Sequence, residues 1–174
     1  MQYHPSPRPP LFNGHQFTLS FMALVVTSAV TQISPARAQW PPPSQPLFES
    51  IRIGPRFNPD PLVLQGISGG RYPAPQIAER DETIIGPCSG FLDREPDHIL
   101  QLTDYFHYLR LQVESPEDTT LVIRGPGGTW CNDDYSEKNP GIAGQWLTGT
   151  YGIWVGSYEA DKYHPYILRV TEVR

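Results

Sequence analysis

Leu109-Arg110-Leu111-Gln112-Val113-Glu114 runs through Ser115-Pro116-Glu117-Asp118 into Thr119-Thr120-Leu121-Val122-Ile123-Arg124, and the pair ends at Gly125-Pro126-Gly127-Gly128. Apolar residues alternate with polar ones through 109–114, and Leu121 and Ile123 share one face of the next run. Successive side chains on a strand point to opposite faces, so this period of two describes half-buried strands. Proline, glycine and acidic residues fill the gaps as turn formers. Two strands joined by a short polar turn make a hairpin, the unit from which the rest is read.

The same pattern continues on both sides. Tyr151, Ile153 and Val155 share a face with Trp154 opposite, and Tyr166, Leu168 and Val170 alternate with Ile167, Arg169 and Thr171. Ile99 to Thr103 reads as another strand, as do Leu47 to Ile53 and Pro61 to Gln65, the last opening on the proline an edge strand tolerates. Ile77 to Thr83 carries too few apolar residues for a helix, and no window of the chain shows a sustained 3.6 period. Short strands without helical crossovers predict an all-β fold, an antiparallel β-sandwich of jelly-roll-like type.

Composition agrees and removes other classes. The 174 residues include 20 prolines and 15 glycines, about a fifth of the chain against about an eighth in average usage. The net charge of −5 argues against nucleic acid as a partner, since phosphate binding needs a concentrated basic surface. Two cysteines are too few for a disulfide-dense scaffold or a four-cysteine zinc site.

The N-terminal part reads as a targeting segment. Phe17 to Val30 is uncharged for 14 residues, Arg8 precedes it, and Ala36-Arg37-Ala38 follows. A basic start, a short apolar run and an A-x-A site describe a secretory signal peptide over residues 1–38. A membrane anchor is the alternative, but 14 helical residues reach about 21 Å against a hydrocarbon core of about 30 Å. Export places the protein in the periplasm or outside the cell, with no membrane span after cleavage. There Cys88 and Cys131 are expected to pair, enclosing 42 residues, a closure worth about 4 kcal/mol in the loop-entropy model; two free thiols are the other possibility. Sixteen of the 20 prolines lie at or before Pro96. That shift divides the mature chain into a Pro-rich linker at 39–47, an extended segment at 48–86 supplying one or two strands, and the sandwich at 87–174.

Asp118-Thr119-Thr120-Leu121-Val122-Ile123, Gly125-Pro126-Gly127-Gly128, Trp130-Cys131-Asn132-Asp133-Asp134 and Gly149-Thr150-Tyr151-Gly152-Ile153-Trp154-Val155-Gly156, in that order, resemble the bacterial pre-peptidase C-terminal domain. Thr148 stands where that family has proline. The resemblance spans roughly residues 97–172, and Cys88-Ser89-Gly90-Phe91 looks like its entry strand. It implies a β-sandwich of about eight strands that accompanies secreted hydrolases or stands alone without catalytic activity; no peptidase is attached here. Some relatives of that domain bind calcium.

Candidate chemistry concentrates between residues 130 and 146. Asn132, Asp133 and Asp134, with Asp118 or else Asp93, Glu95 or Asp97 from another segment, carry oxygens of the kind calcium takes; the alternative is that they accept backbone N–H bonds and shape the loop. Calcium is the one cofactor in view. Trp130, Tyr135 and Trp146, with Trp154 and Tyr158, offer rings for sugar stacking, although aromatics in strands more often form core pairs. Tyr135 and Trp146 fall in predicted loops and are expected to be exposed. Gly66-Ile67-Ser68-Gly69-Gly70 resembles the surroundings of a serine nucleophile, but a triad needs a histidine base, and His4 and His15 lie in the signal segment. His164 would serve the α/β-hydrolase order, a fold that requires helical crossovers. A glycine-rich turn is the expected role of 66–70. His98, His107 and His164 are scattered and read as surface or capping residues. The resulting expectation is a secreted or periplasmic, non-enzymatic module that binds extracellular polysaccharide or a cell-envelope partner. The alternative is an assembly protein that engages a protein through a sheet edge.

Overall fold

The computed structural model describes residues 45–172; the signal segment 1–38 and most of the linker lie outside the described residues. The alternating stretches form the strands expected of them. These are β1 (Ile51–Ile53), β2 (Leu62–Ser68), β7 (His98–Leu102), β8 (Phe106–Glu114), β9 (Thr119–Gly125), β12 (Gly149–Ser157) and β13 (His164–Thr171). Two more strands, β10 (Gly128–Asn132) and β11 (Gly141–Trp146), occupy sequence that reads as loop. Between β2 and β7 lie short pieces: β3 (Tyr72–Pro73), α1 (Ala74–Ala78), β4 (Glu82–Thr83), β5 (Gly86–Pro87) and β6 (Phe91–Leu92). Pro75 sits in the first turn of α1, where its missing N–H costs nothing.

The strands pair into two facing sheets. In one, β12 is central: β9 lies along one side with β10 beyond it, and β7 and β6 share the other side, extended by β1 and β3. The second sheet has the order β11-β8-β13-β2, and β4-β5 forms a separate small hairpin. Pairing is antiparallel except for β1, which runs parallel to β7 with Ile51 opposite Leu100. The fold is an antiparallel β-sandwich. The 48–86 segment is integral to it, since β2 pairs along its whole length with β13, Leu64 opposite Leu168.

The alternation explains the core. Leu64, Leu100, Leu109, Leu111, Val113, Leu121, Ile123, Ile153, Val155, Leu168 and Val170 meet between the sheets, all at most 1% exposed. Val122 and Trp154 point the other way, yet both are buried. A flap built from α1, Cys88 and Leu92 covers that outer face, in a second cluster with Cys131. Coverage of both faces is why Thr119 to Ile123 is buried without a break. The Cys88–Cys131 disulfide joins the flap to edge strand β10. Arg124 adds to that attachment, pairing with Glu79 and donating to the Ile77 carbonyl.

Residues 66–68 are not a turn. Gly66, Ile67 and Ser68 complete β2, and the ring of Tyr166 lies over Gly66, where a Cβ would be 2.4 Å from the hydroxyl. Glycine is needed there for the close approach.

Candidate functional site

Trp130, Trp146 and Tyr151 pack ring against ring. The centroid separations are 6.1 Å for Trp130–Trp146, 6.3 Å for Trp130–Tyr151 and 5.0 Å for Trp146–Tyr151. Each comes from a different strand: Trp130 from β10, Trp146 from the end of β11, Tyr151 from β12. They meet at a corner where edge strand β10 of one sheet approaches edge strand β11 of the other. A cleft of about 360 Å³ opens over them, with Ile85, Tyr105, Leu147 and the Pro126-Gly127 turn among its walls.

Local rules place these groups. Gly125 pairs with Gly128 across the turn, and Gly127 at φ 96° takes a conformation that side chains rarely adopt. The register of β11 against β8 shifts between Gly144 and Trp146, a bulge that frees Gln145 from pairing and re-aims Trp146. Trp146 is 5% exposed and donates Nε1–H to the Leu109 carbonyl at 2.9 Å. This corrects the expectation of an exposed loop tryptophan: Trp146 ends a strand and forms the floor of the cleft. The Tyr151 hydroxyl donates to the Leu147 carbonyl at 2.9 Å, and burial pushes its pKa up to about 12. Both polar tips are spent on backbone, so the rings present apolar surface.

The walls carry no charged side chain. Around them Leu147 is 50% exposed, Ile85 43% and Tyr105 37%, and Ile84 at the tip of the β4-β5 hairpin is 96% exposed. Exposed branched aliphatic residues beside half-buried tryptophan form the kind of patch that soluble surfaces seldom leave uncovered.

The five aromatics considered from sequence therefore divide. Trp130 and Trp146 come together in the cleft. Tyr135 stands apart, exposed and packed against Gly141. Trp154 is buried under the flap, and Tyr158 is exposed just beyond the end of β12. Sequence reasoning missed Tyr151 as a partner of the tryptophans, although its place on the inward face of β12 was legible.

The acidic loop is shaped largely by hydrogen bonds. The Asn132 side-chain oxygen accepts the Gly141 N–H at 2.9 Å, and Asp133 accepts from the Ser89 hydroxyl. Asp118 lies near enough to Asp134 and Asp133 to feel both: burial, then those two charges, raise its pKa, and Lys138 opposes them. Among the described residues, no group of three or more His, Cys, Asp or Glu side chains is placed to hold a metal ion.

Ser68 is fully buried, its Oγ 3.0 Å from that of Ser157. His98 is neither a surface nor a capping residue. It is fully buried between the Glu49 carbonyl and the Tyr166 hydroxyl. Among the described residues, no helix is long and apolar enough to cross a membrane.

No protein-family model matches the sequence. The chain is 28% identical over 155 residues to an uncharacterized protein of Synechococcus elongatus, across 87% of this chain and 96% of that one. Among solved structures it is similar to the pre-peptidase C-terminal domain of a collagenase from Bacillus anthracis, at 13% identity and a TM-score of 0.42, over 74% of this chain and 99% of that domain. It is also similar to PliG of Aeromonas hydrophila, a periplasmic inhibitor of g-type lysozyme, at 14% identity and a TM-score of 0.39, over 71% of this chain and 96% of that protein. The domain family anticipated from residues 118–156 is thus represented among the structural neighbours, while the sandwich itself stands on the strand pairing described above.

Proposed function

We propose that this chain is an exported, non-catalytic binding module that receives an apolar anchor side chain of a cell-envelope protein in the Trp130–Trp146–Tyr151 cleft. Residues 1–38 act as the signal peptide, 39–47 as a spacer, and the folded part works outside the cytoplasm, where Cys88 and Cys131 oxidise. The observation that carries this reading is the chemistry of the cleft walls, which are uncharged, apolar apart from Gln145, and include exposed Ile85, Leu147 and Tyr105.

A glycan platform needs exposed ring faces flanked by amide or carboxylate partners. Here Trp146 and Tyr151 are buried, and Gln145 is the one side-chain amide in the walls. Aromatic or branched aliphatic anchors in a desolvated pocket are the usual energetic centre of a protein interface. β11 supports the same partner class. Gly141 donates its N–H away from β8, to Asn132, so the alternation turns the N–H and C=O of exposed Ala143 the same way, open to a partner strand.

Selection of a displayed peptide library on the protein tests this. Binders should share an aromatic or branched aliphatic anchor and lose binding on Leu147→Asp or Ile85→Asp, both exposed positions. Recovery of no anchored sequence, together with glycan-array binding lost in those same variants, would replace a protein partner with a sugar.

A further inference from the structure

β2 is a free edge of the second sheet, and it lacks the devices that blunt an edge. The other edges are each guarded. β1 is three residues long and carries Arg52, and β3 is two residues long and includes Pro73. β11 is bulged before Trp146, and β10 is tied to the flap by the Cys88–Cys131 disulfide. β2 runs for seven residues, Leu-Val-Leu-Gln-Gly-Ile-Ser, with no charge and no proline, and its register against β13 is unbroken from Leu62 to Ser68.

One contact settles which of its backbone groups face outward. The N–H and C=O of a strand residue point to the same side, and that side alternates along the chain. The Pro165 carbonyl accepts from the Ser115 hydroxyl, just past the end of β8, at 3.1 Å. Pro165 therefore faces β8, and Tyr166, Leu168 and Val170 face β2. Their opposites Gly66, Leu64 and Leu62 face β13 in return, which turns the N–H and C=O of Val63, Gln65 and Ile67 outward. Gly69, next in that series, donates its N–H to the Val155 carbonyl of the other sheet. Among the described residues, no hydrogen bond reaches Val63, Gln65 or Ile67 from the open side. All three side chains are exposed, on the outer face of the sheet.

We propose that β2 pairs antiparallel with β2 of a second copy of this chain, about a two-fold axis at Gln65, joining the two four-stranded sheets into one. An outward-facing residue has to meet another. With Gln65 at the centre, Val63 lies opposite the second copy's Ile67, Gln65 opposite its own equivalent, and Ile67 opposite the second copy's Val63. Each pair exchanges two bonds, about six in all, and branched aliphatic side chains meet across one face. Centring on Leu64 instead sets Ile67 against Pro61, which has no N–H. Centring on Gly66 sets Val63 against Gly69, whose N–H already holds Val155. The strand's own sequence thus selects a self-complementary register.

Charge and surface agree with the pairing. Asp60, exposed just before β2, comes to the end of the second copy's strand, where Lys162 lies against Gly69; Arg71 nearby is paired with Asp161. Phe48 stands at the same edge, walling a cleft of about 550 Å³ with Gln65, Ile67, Pro165 and Ile167, so the apolar surface extends beyond the strand. The contact is isologous. One strand pair buries about 1,200 Å² or less, the size of weak complexes, so the dimer forms as concentration rises.

Sedimentation equilibrium of the protein from about 1 µM to about 1 mM tests this. The mean mass should climb from one chain toward two. Gln65→Lys sets two like charges across the axis and should weaken association by about fivefold, as should Gln65→Glu. Mixing the two variants should restore a heterodimer at least as tight as the unmutated pair. Gln65 is exposed in the single chain, so both variants should keep the unmutated circular dichroism. If either does not fold, hydrogen exchange at the Val63, Gln65 and Ile67 amides of the unmutated protein decides: protection that grows with concentration supports the pairing, and fast exchange throughout overturns it. A single-chain mass at every concentration, association that both variants leave unchanged, or a mixture no tighter than either variant alone also overturns it.

Discussion

Replacing Cys88 and Cys131 together with alanine should cost about 4 kcal/mol. The two positions are 43 residues apart in sequence, and closing a loop of that length removes about 13 cal/mol/K from the unfolded chain, about 4 kcal/mol at room temperature. A domain of this size is stabilised by about 5–15 kcal/mol in total, so the variant should fold with a much smaller margin. Equilibrium urea denaturation followed by circular dichroism measures it. With a slope of about 2 kcal/mol/M, the midpoint should fall by about 2 M. The loss should also be uneven, because the bond ties the flap to β10, whereas β8, β9, β12 and β13 are held by paired ladders and the main core. Hydrogen exchange should therefore quicken over residues 74–92 before it does in those four strands. A midpoint shift below about 0.5 M, equivalent to about 1 kcal/mol, would show that loop closure is not what the bond contributes. Uniform loss of protection would show that the flap is not a separable unit.

Gly70→Ala should destabilise by about 3 kcal/mol or more by urea denaturation, because Gly70 has φ 138° and an added Cβ would lie 1.9 Å from the backbone carbon of Leu92. The tyrosines set an alkaline limit: burial holds the Tyr151 hydroxyl protonated to about pH 12, so the stability it confers is present below its ordinary value near about 10 and lost as pH rises through the folded value. Tyr151→Phe should make the fall in melting temperature between pH 10 and 12 shallower, and an unchanged slope would contradict the assignment.

The strands that could be read directly are those with strong alternation and a covered inner face, such as Leu109 to Val113 and Tyr166 to Val170. β10 and β11 escaped for a physical reason. They are edge strands, Gly-Thr-Trp-Cys-Asn and Gly-Ile-Ala-Gly-Gln-Trp, whose glycines and amides have low strand propensity. Their conformation is imposed by the neighbours they pair with. Once both are strands, Trp130 and Trp146 can only converge at the corner the two sheets share. His98 was misjudged because nothing in its neighbours marks it as inward: it opens β7, and its ring is held in the interior by the Glu49 carbonyl and the Tyr166 hydroxyl. The acidic loop was legible as a cluster, but composition does not reveal that the Asn132 oxygen already holds the Gly141 N–H and Asp133 the Ser89 hydroxyl.

The parallel placement of β1 sets the direction in which this molecule can be presented. β1 and β7 run together toward Leu102, which pairs with Gly149 at the end of the sandwich that bears Leu147 and the Pro126 turn. Gln45, where the described chain enters, lies a strand's length behind. The point where the described chain enters thus lies at the end of the sandwich opposite the aromatic corner.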